Sequence, residues 1–151
     1  NTETNQANKE PVAEEPRDEY IEDYRVAGYM KIPKNNVEAP ILDRVSVRSL
    51  ELSIAIAYGP GLNEVGNTTI YGHAYQNYPF EKLSNLVNGD LIIIKDSSKE
   101  EITYEVYDRL IVPNNDATFM IRDTKGTREL SLQTAASGTE KLIILAREVN
   151  K

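Results

Sequence analysis

The single histidine of the chain, His73, is the side chain best suited to proton transfer. Imidazole can accept or donate a proton near neutral pH, which general acid–base catalysis requires. An isolated histidine is more often a packed or surface residue. His73, however, directly follows a strand-like run that starts at Asn67, and a loop comes after it. Its position at the end of a strand makes it a candidate catalytic residue.

The rest of the composition limits which catalytic and metal-binding sites the chain can form. There is no cysteine, which excludes disulfide bonds, thiolate metal sites and a thiol nucleophile, and one histidine cannot form a multi-histidine metal site. Gly59-Pro60-Gly61 precedes neither a helix nor a Lys-Ser/Thr pair, so no phosphate-binding loop is indicated. Several acidic residues could supply oxygen ligands to calcium, but acids in turns are usually just solvated, and we predict no metal and no cofactor. These acidic residues are Asp90, Asp96, Glu100, Glu101, Asp108 and Asp116.

Most of the net charge of −7 lies at the start of the 151-residue chain. Residues 1–24 carry eight acidic and two basic side chains, a net −6, which leaves −1 for the remainder. A nearly neutral domain without a basic run does not favour binding to nucleic acid. Residues 1–19, polar and without apolar periodicity, are predicted to be a disordered acidic stalk or an expression remnant, and residues 20–151 one domain. Neither a membrane span nor a signal peptide is predicted.

Short apolar runs separated by turn signals indicate an all-β fold. Residues 52–58 alternate large apolar with small side chains, which predicts a strand buried on both faces. Eight strands with one or two short helices are enough to close a small barrel, and we expect a closed, mostly antiparallel one. The predicted strands cover residues 28–33, 40–42, 52–58, 67–73, 90–95, 102–112, 129–134 and 141–149, with a further short apolar piece at 119–121.

One helix is predicted between the strand that ends at His73 and the strand from Asp90. Asn77 could cap it, Pro79 suits its first turn and Gly89 would end it. Phe80, Leu83 and Leu86 or Val87 would form its apolar face.

Two segments in a fixed order carry a family resemblance. Thr69-Ile70-Tyr71-Gly72-His73 ends one strand, and Leu132-Gln133-Thr134-Ala135 ends a later strand that a loop and a final apolar strand follow. The pattern resembles the sortase family, the cysteine transpeptidases of Gram-positive cell surfaces. The family motifs are Thr-Leu-x-Gly-His, Leu-x-Thr-Cys and an arginine at the start of the last strand. The resemblance extends over residues 28–149 and implies a sortase-type β-barrel.

The resemblance implies acyl transfer through a thioester. A cysteine thiolate would attack the threonine carbonyl of a Leu-Pro-x-Thr-Gly-type (LPXTG-like) sorting signal, and an amine would then take the acyl group. His73 would act as the acid–base group, and Gly72 and Thr134 would lie against the substrate. Ala135 stands at the cysteine position, and a methyl group cannot attack a carbonyl, so this chain is predicted to be inactive. We favour replacement of a cysteine over a naturally non-enzymatic relative.

The sequence leaves several candidates for the catalytic cation. Counting along the last strand, the family arginine falls on Lys141, immediately before Leu142, and Arg147 is the alternative. The two are about 20 Å apart along a strand, so only one can lie near Ala135. Position favours Lys141, whereas arginine is the better bidentate donor. Arg122 and Arg128, which precede the Ala135 strand, are further candidates.

The resemblance also implies partners and a location. The expected partners are an LPXTG-like sorting-signal peptide and an amine acceptor, either a peptidoglycan cross-bridge or a pilin lysine. The native protein is expected at the extracellular face of a Gram-positive cell membrane, anchored through an N-terminal segment removed here. Residues 1–40 hold no Asp-Pro-aromatic lid motif, which disfavours a lidded pilin polymerase, and a class B-like subclass is expected instead. The alternative is a non-catalytic surface adhesin or peptide-binding module. A calcium-dependent carbohydrate-binding barrel is disfavoured because the chain has no tryptophan.

Overall fold

Strands dominate the computed structural model, which describes residues 18–149. Nine strands lie in this range, and the last eight agree in order and approximate position with the prediction from sequence. They are β1 (Tyr20–Ile21), β2 (Tyr24–Ile32), β3 (Val37–Leu42), β4 (Ile54–Tyr58), β5 (Gly66–Tyr71), β6 (Leu91–Asp96), β7 (Glu101–Pro113), β8 (Arg128–Ala135) and β9 (Glu140–Glu148).

Strands β2 to β9 close into a barrel. Around it the order is β2-β3-β4-β5-β8-β9-β7-β6, and β6 pairs again with β2. The β3–β4 and β5–β8 pairs are parallel and the other pairs are antiparallel, so the barrel is mixed but mostly antiparallel, as expected. Within residues 18–149, strand β1 pairs only with β2.

The core fills the inside of the barrel because side chains on a strand alternate between its two faces. In β9, for example, Leu142, Ile144 and Ala146 belong to the main core, whereas Ile143 and Leu145 pack outside the barrel with Phe119. Residues of even number in β8 and β9 therefore face inward, and residues of odd number face outward. This parity decides which side chains can reach a ligand on the outer face.

The helix predicted between Asn77 and Gly89 is wrong. Only Leu83–Asn85 is helical there, as a 3₁₀ turn, and the segment is a chain of i→i+3 turns such as Glu81 N to Tyr78 O at 3.0 Å. Phe80, Leu83 and Leu86 are fully buried as expected, but their spacing of three residues suits 3₁₀ turns better than a 3.6-residue repeat.

The α-helix instead precedes β4. Helix α1 (Val47–Leu52) starts at Ser46, whose hydroxyl accepts a hydrogen bond from Ser49 N while Ser49 Oγ accepts one from Ser46 N. This capping box stabilises a short helix where the sequence had predicted the start of a strand at residue 52. Strand β4 therefore starts at Ile54, and its first two residues, Ile54 and Ala55, are buried on opposite faces.

Two further 3₁₀ helices, Pro33–Asn35 and Thr118–Ile121, complete the elements; the second replaces the short apolar piece predicted at 119–121. Between residues 18 and 149, no helix has both the length and the hydropathy needed to cross a membrane. The predicted stalk at residues 1–19 falls outside the described residues except for Asp18 and Glu19.

Candidate active site

Strands β5 and β8 bring His73 and Ala135 to the same edge of the barrel. The strands are parallel with Tyr71 opposite Gln133, and Gly72 N donates to Gln133 O at 3.1 Å. His73 and Ala135 each lie two residues beyond this pair, and neighbouring strands are about 5 Å apart. Ala135 is exposed and His73 is partly exposed, so both are accessible from outside the barrel.

Lys141 completes a row of three residues across β5, β8 and β9. It pairs directly with Ala135 in the antiparallel β8–β9 ladder, which puts both side chains on the outer face. The residue is only 8% exposed, and its ammonium lies 5.3 Å from the centre of the Phe119 ring. Among residues 18–149 it forms no ion pair. The cation of a nearly buried residue that pairs with Ala135 can therefore receive a carbonyl oxygen or oxyanion.

Arg147 lies at the opposite end of β9. It pairs with Glu129 in the β8–β9 ladder, its Nε lies 3.3 Å from Glu129 Oε2, and its guanidinium stacks 4.0 Å from the Tyr107 ring centre. Six residues separate it from Lys141, about 20 Å along a strand. The structure thus brings Lys141, and not Arg147, to Ala135.

The two earlier arginines are also engaged elsewhere. Arg122 donates to Glu129 Oε1 at 2.9 Å and to Ser131 Oγ at 2.6 Å. Arg128 donates from Nε to Asn63 O at 2.7 Å and pairs with Glu148 at 3.2 Å. Neither reaches the Ala135 end of β8.

Gly72 and Thr134, expected to lie against substrate, face the barrel interior. A Cβ at Gly72 would lie 2.5 Å from Ile54 Cγ2 and 2.8 Å from Phe80 Cδ2, so core side chains make the close approach that requires glycine. Thr134 pairs with the core residue Leu142 and is 2% exposed. The parity of the strands rules out a side-chain contact between either residue and a ligand on the outer face.

Gln133 is a candidate that sequence reasoning overlooked. It lies on the outer face two residues before Ala135, and its Oε1 is buried with no hydrogen-bond partner among residues 18–149. A buried amide oxygen without a partner is costly, and a ligand can bind it only after the side chain turns outward. The signal in the sequence is that Gln133 places a polar amide at the variable position of the Leu-x-Thr motif.

Three tyrosines surround the imidazole of His73. Tyr75 stacks on it with ring centres 4.7 Å apart, and Tyr71 and Tyr78 meet it edge-on at 6.2 and 5.8 Å. These rings restrict the orientation of the imidazole. Within residues 18–149, no three His, Asp or Glu side chains are grouped so that they could hold a metal ion.

The sortase-domain family model matches residues 30–149, most of the chain. The chain belongs to the sortase family. No curated protein sequence matches it. The family assignment supports the transpeptidase class that the two motifs imply.

Solved sortases share the fold of this sortase domain at low sequence identity. A lid mutant of sortase A from Corynebacterium diphtheriae is 24% identical with a TM-score of 0.77, over 85% of this chain and 73% of that one. Sortase C-1 from Actinomyces oris is 20% identical with a TM-score of 0.76, over 100% of this chain and 82% of that one. Sortase C from Clostridium perfringens, in a structure described with the C-terminal cell wall sorting motif, is 21% identical with a TM-score of 0.73, over 83% and 71%.

Proposed function

We propose that this sortase domain belongs to an enzyme that cleaves an LPXTG-like sorting signal and joins the threonine carboxyl group to an amine. The observation that carries the proposal is the row His73, Ala135, Lys141 on the outer face. In this row His73, which we assign as the acid–base group, lies on one side of position 135, and the cation Lys141 lies on the other. The C. perfringens sortase C described with a cell wall sorting motif supports a peptide of this kind as substrate.

The residues of this row are arranged to match the charges that develop during acyl transfer. With a cysteine at position 135, the thiolate would attack the carbonyl carbon of threonine, and the carbonyl oxygen would become negative beside Lys141. His73 would protonate the departing glycine amine, which leaves a thioester. Attack of a second amine on that thioester then forms the new amide and releases the sulfur.

Ala135 makes the present chain inactive in this scheme, since a methyl group has no lone pair. The polar groups around it remain in place, including Gln133, which we assign to contact with the bound peptide. Noncovalent binding of a sorting signal is therefore expected to persist, at weak affinity, because an extended peptide loses conformational entropy on binding.

Location, acceptor and subclass follow from the same proposal. A sortase acts on surface proteins, so we infer the extracellular face of a Gram-positive cell membrane. A pilus-related sortase C of Group B Streptococcus is 22% identical with a TM-score of 0.75. Cell-wall anchoring and pilus assembly are both compatible with the site. The class B-like subclass stays a prediction.

The second candidate function is a non-catalytic adhesin or peptide-binding module, and the observation that favours it is Ala135 itself. The codon at position 135 in the encoding gene separates the two. A cysteine codon identifies a replaced nucleophile, whereas an alanine codon favours the binding module.

Introducing a thiol at position 135 tests the proposal directly. Ala135→Cys is expected to form a thioester with an LPXTG-like peptide, seen as a mass increase, and to cleave it. The matched control is Ala136→Cys, which places a thiol one residue further along and is expected to form no thioester. In the Ala135→Cys background, His73→Ala should lower turnover about 100-fold to 10,000-fold, because proton transfer to the leaving amine is lost. A panel of sorting-signal peptides that yields no adduct with Ala135→Cys would refute the proposed function.

A further inference from the structure

Lysine at position 141 has to be held in place in a way that an arginine would not. Its ammonium is a point charge on a long flexible stem, whereas a guanidinium is a rigid planar fork. To stabilise an oxyanion, a donor has to stay within about 3 Å of the oxygen. An ion pair could restrict the side chain, but among residues 18–149 Lys141 forms none. Another group is therefore needed to hold the cation.

The ring of Phe119 is in contact with this charge. The ammonium of Lys141 lies 5.3 Å from the ring centre, within the range of a cation–π interaction. Phe119 is 6% exposed and packs with Ile143 and Leu145 on the outer face of β9. The ring therefore lies over the strand that carries Lys141, on the face where Lys141 pairs with Ala135.

The segment between β7 and β8 fixes the position of the Phe119 ring through its own backbone. The carbonyl oxygen of Phe119 accepts a hydrogen bond from Arg122 Nη1 at 2.9 Å, and the same nitrogen donates to Ser131 Oγ of β8 at 2.6 Å. The next carbonyl oxygen, that of Met120, accepts a hydrogen bond from Asn67 Nδ2 of β5 at 3.1 Å. Because two neighbouring strands hold the backbone beside the ring, the ring gives a flexible cation a fixed support.

An aromatic ring can hold an ammonium without cancelling its charge. A carboxylate would form an ion pair and compete with an oxyanion for the same N–H donors. A benzene ring carries no net charge, and the negative side of its quadrupole attracts the cation. One ring face cannot occupy every N–H donor of an ammonium, so donors remain for a substrate oxygen.

We propose that Phe119 is a positioning residue for the catalytic cation, and that its ring holds the Lys141 ammonium beside position 135, where the substrate carbonyl oxygen becomes negative. The proposal rests on the proposed function. Phe119 touches no reacting atom in this assignment, so its effect passes entirely through Lys141. Loss of the ring leaves the cation present but spreads it over more side-chain conformations, and fewer of these reach the oxyanion.

The contact itself can be measured by NMR on the chain as it is, with Ala135. The ring current of Phe119 should move the ε-methylene proton resonances of Lys141 upfield of those of the exposed Lys82 and Lys99. Phe119→Tyr, which keeps the ring, should preserve this displacement, and Phe119→Leu should remove it. A Lys141 resonance that is not displaced, or that Phe119→Leu leaves where it was, overturns the proposal.

The catalytic effect is tested in the Ala135→Cys variant by the rate of thioester formation at saturating peptide. Phe119→Leu should lower this rate about tenfold and change the half-saturating peptide concentration by less than about twofold, because the oxyanion exists only in the transition state. Phe119→Tyr should retain the rate. Met120→Leu, a change of apolar side chain in the next residue, is the matched control and should leave the rate unchanged. Phe119→Met, which also lacks the ring, takes the place of Phe119→Leu if that variant does not fold.

A double-mutant cycle shows whether the ring acts through the cation. With Lys141→Ala already present in the Ala135→Cys background, Phe119→Leu should cause no further loss of rate. An equal loss with and without Lys141, or a Phe119→Tyr variant as slow as Phe119→Leu, overturns the positioning role and leaves the proposed function standing. Absence of any thioester with Ala135→Cys overturns the proposed function and the positioning role together.

Discussion

Lys141 occupies the position where the family pattern has an arginine, and its surroundings explain how a lysine can serve there. The residue is almost buried, and its ammonium lies 5.3 Å from the centre of the Phe119 ring, so its flexible stem is held on the outer face beside the Ala135 end of β8. Asp116 is an acid that feels this charge. Its pKa is lowered mainly by hydrogen bonds from Thr118, and Lys141 adds a smaller effect. A single ammonium can stabilise an oxyanion but cannot supply the two parallel hydrogen bonds of a guanidinium.

In the Ala135→Cys background, Lys141→Ala should reduce kcat/KM for a sorting peptide by roughly 100-fold, the effect of losing one oxyanion donor. Arg147→Ala is the matched control, since its guanidinium belongs to the Glu129 ion pair at the other end of β9. Steady-state cleavage of a fluorogenic peptide measures both. Equal losses in the two variants would contradict the assignment of Lys141.

At the scale of elements, the segment between β7 and β8 is held to the outer face by buried polar side chains. Glu129, 5% exposed, accepts hydrogen bonds from Arg122 at 2.9 Å and from the Tyr107 hydroxyl at 2.6 Å. Burial, together with the bond to Glu129, raises the pKa of Tyr107. The Ser131 hydroxyl accepts a hydrogen bond from Arg122 and donates one to Asn67 Oδ1 on β5 at 2.8 Å. The segment that carries Phe119, and with it the environment of Lys141, depends on this network.

Glu129→Leu should destabilise the domain by about 3 kcal/mol, because the largely buried Arg122 would lose its counter-charge. Arg147→Ala, which removes the half-exposed partner of the same carboxylate, should cost about 1 kcal/mol or less. Urea unfolding of the two variants measures the difference. Similar midpoints would show that the buried pair contributes little.

Asp90, in the turn before β6, should make the stability of the domain depend on pH in the acidic range. Asp90 accepts hydrogen bonds from Val87 N at 2.8 Å and Lys34 Nζ at 2.9 Å, and its pKa is lowered chiefly by the bond from Val87. A lowered pKa means that the stabilisation is present above the unfolded value of 3.8 and is lost as pH falls through the folded value. Asp90→Asn should therefore show a smaller fall in Tm than the parent chain below about pH 4. Parallel Tm curves would exclude this contribution.

At the scale of the molecule, the barrel depends on the seam between β2 and β6. Gly28 lies in this seam opposite Asp96, and a Cβ there would overlap the backbone oxygen of Lys95 and lie 2.8 Å from Leu62 Cδ1. A backbone atom cannot move aside without breaking the ladder that closes the barrel.

Gly28→Ala should destabilise the domain by about 2 kcal/mol or more, in the range of overpacking that forces backbone shifts. Gly138→Ala is the control, because nothing lies within 4 Å of the Cβ it would add. Thermal unfolding followed by far-UV circular dichroism compares the two. A Gly28→Ala protein as stable as Gly138→Ala would show that the seam can relax.

The sequence by itself determined the features that depend on local pattern. Alternation of apolar and polar residues determined the β-class and the order of β2 to β9, because side chains on a strand point to opposite faces. The resemblance of two short motifs to the sortase pattern located His73 and Ala135 near strand ends, and a count to the family's arginine position placed Lys141 at the start of β9. These inferences needed only neighbours along the chain.

Only the tertiary structure decided questions that depend on which strands are neighbours. The pairing of Ala135 with Lys141 showed that Lys141, and not Arg147, is the cation beside Ala135. The alternation of side chains along β5 and β8 directs Gly72 and Thr134 into the core. Burial of Phe80, Leu83 and Leu86 in the barrel is compatible with 3₁₀ turns as well as with a helix, so their spacing was ambiguous in sequence. A cavity of about 520 Å³ is lined both by residues of the 45–51 segment and by residues of the 73–78 segment, a proximity that no local pattern records.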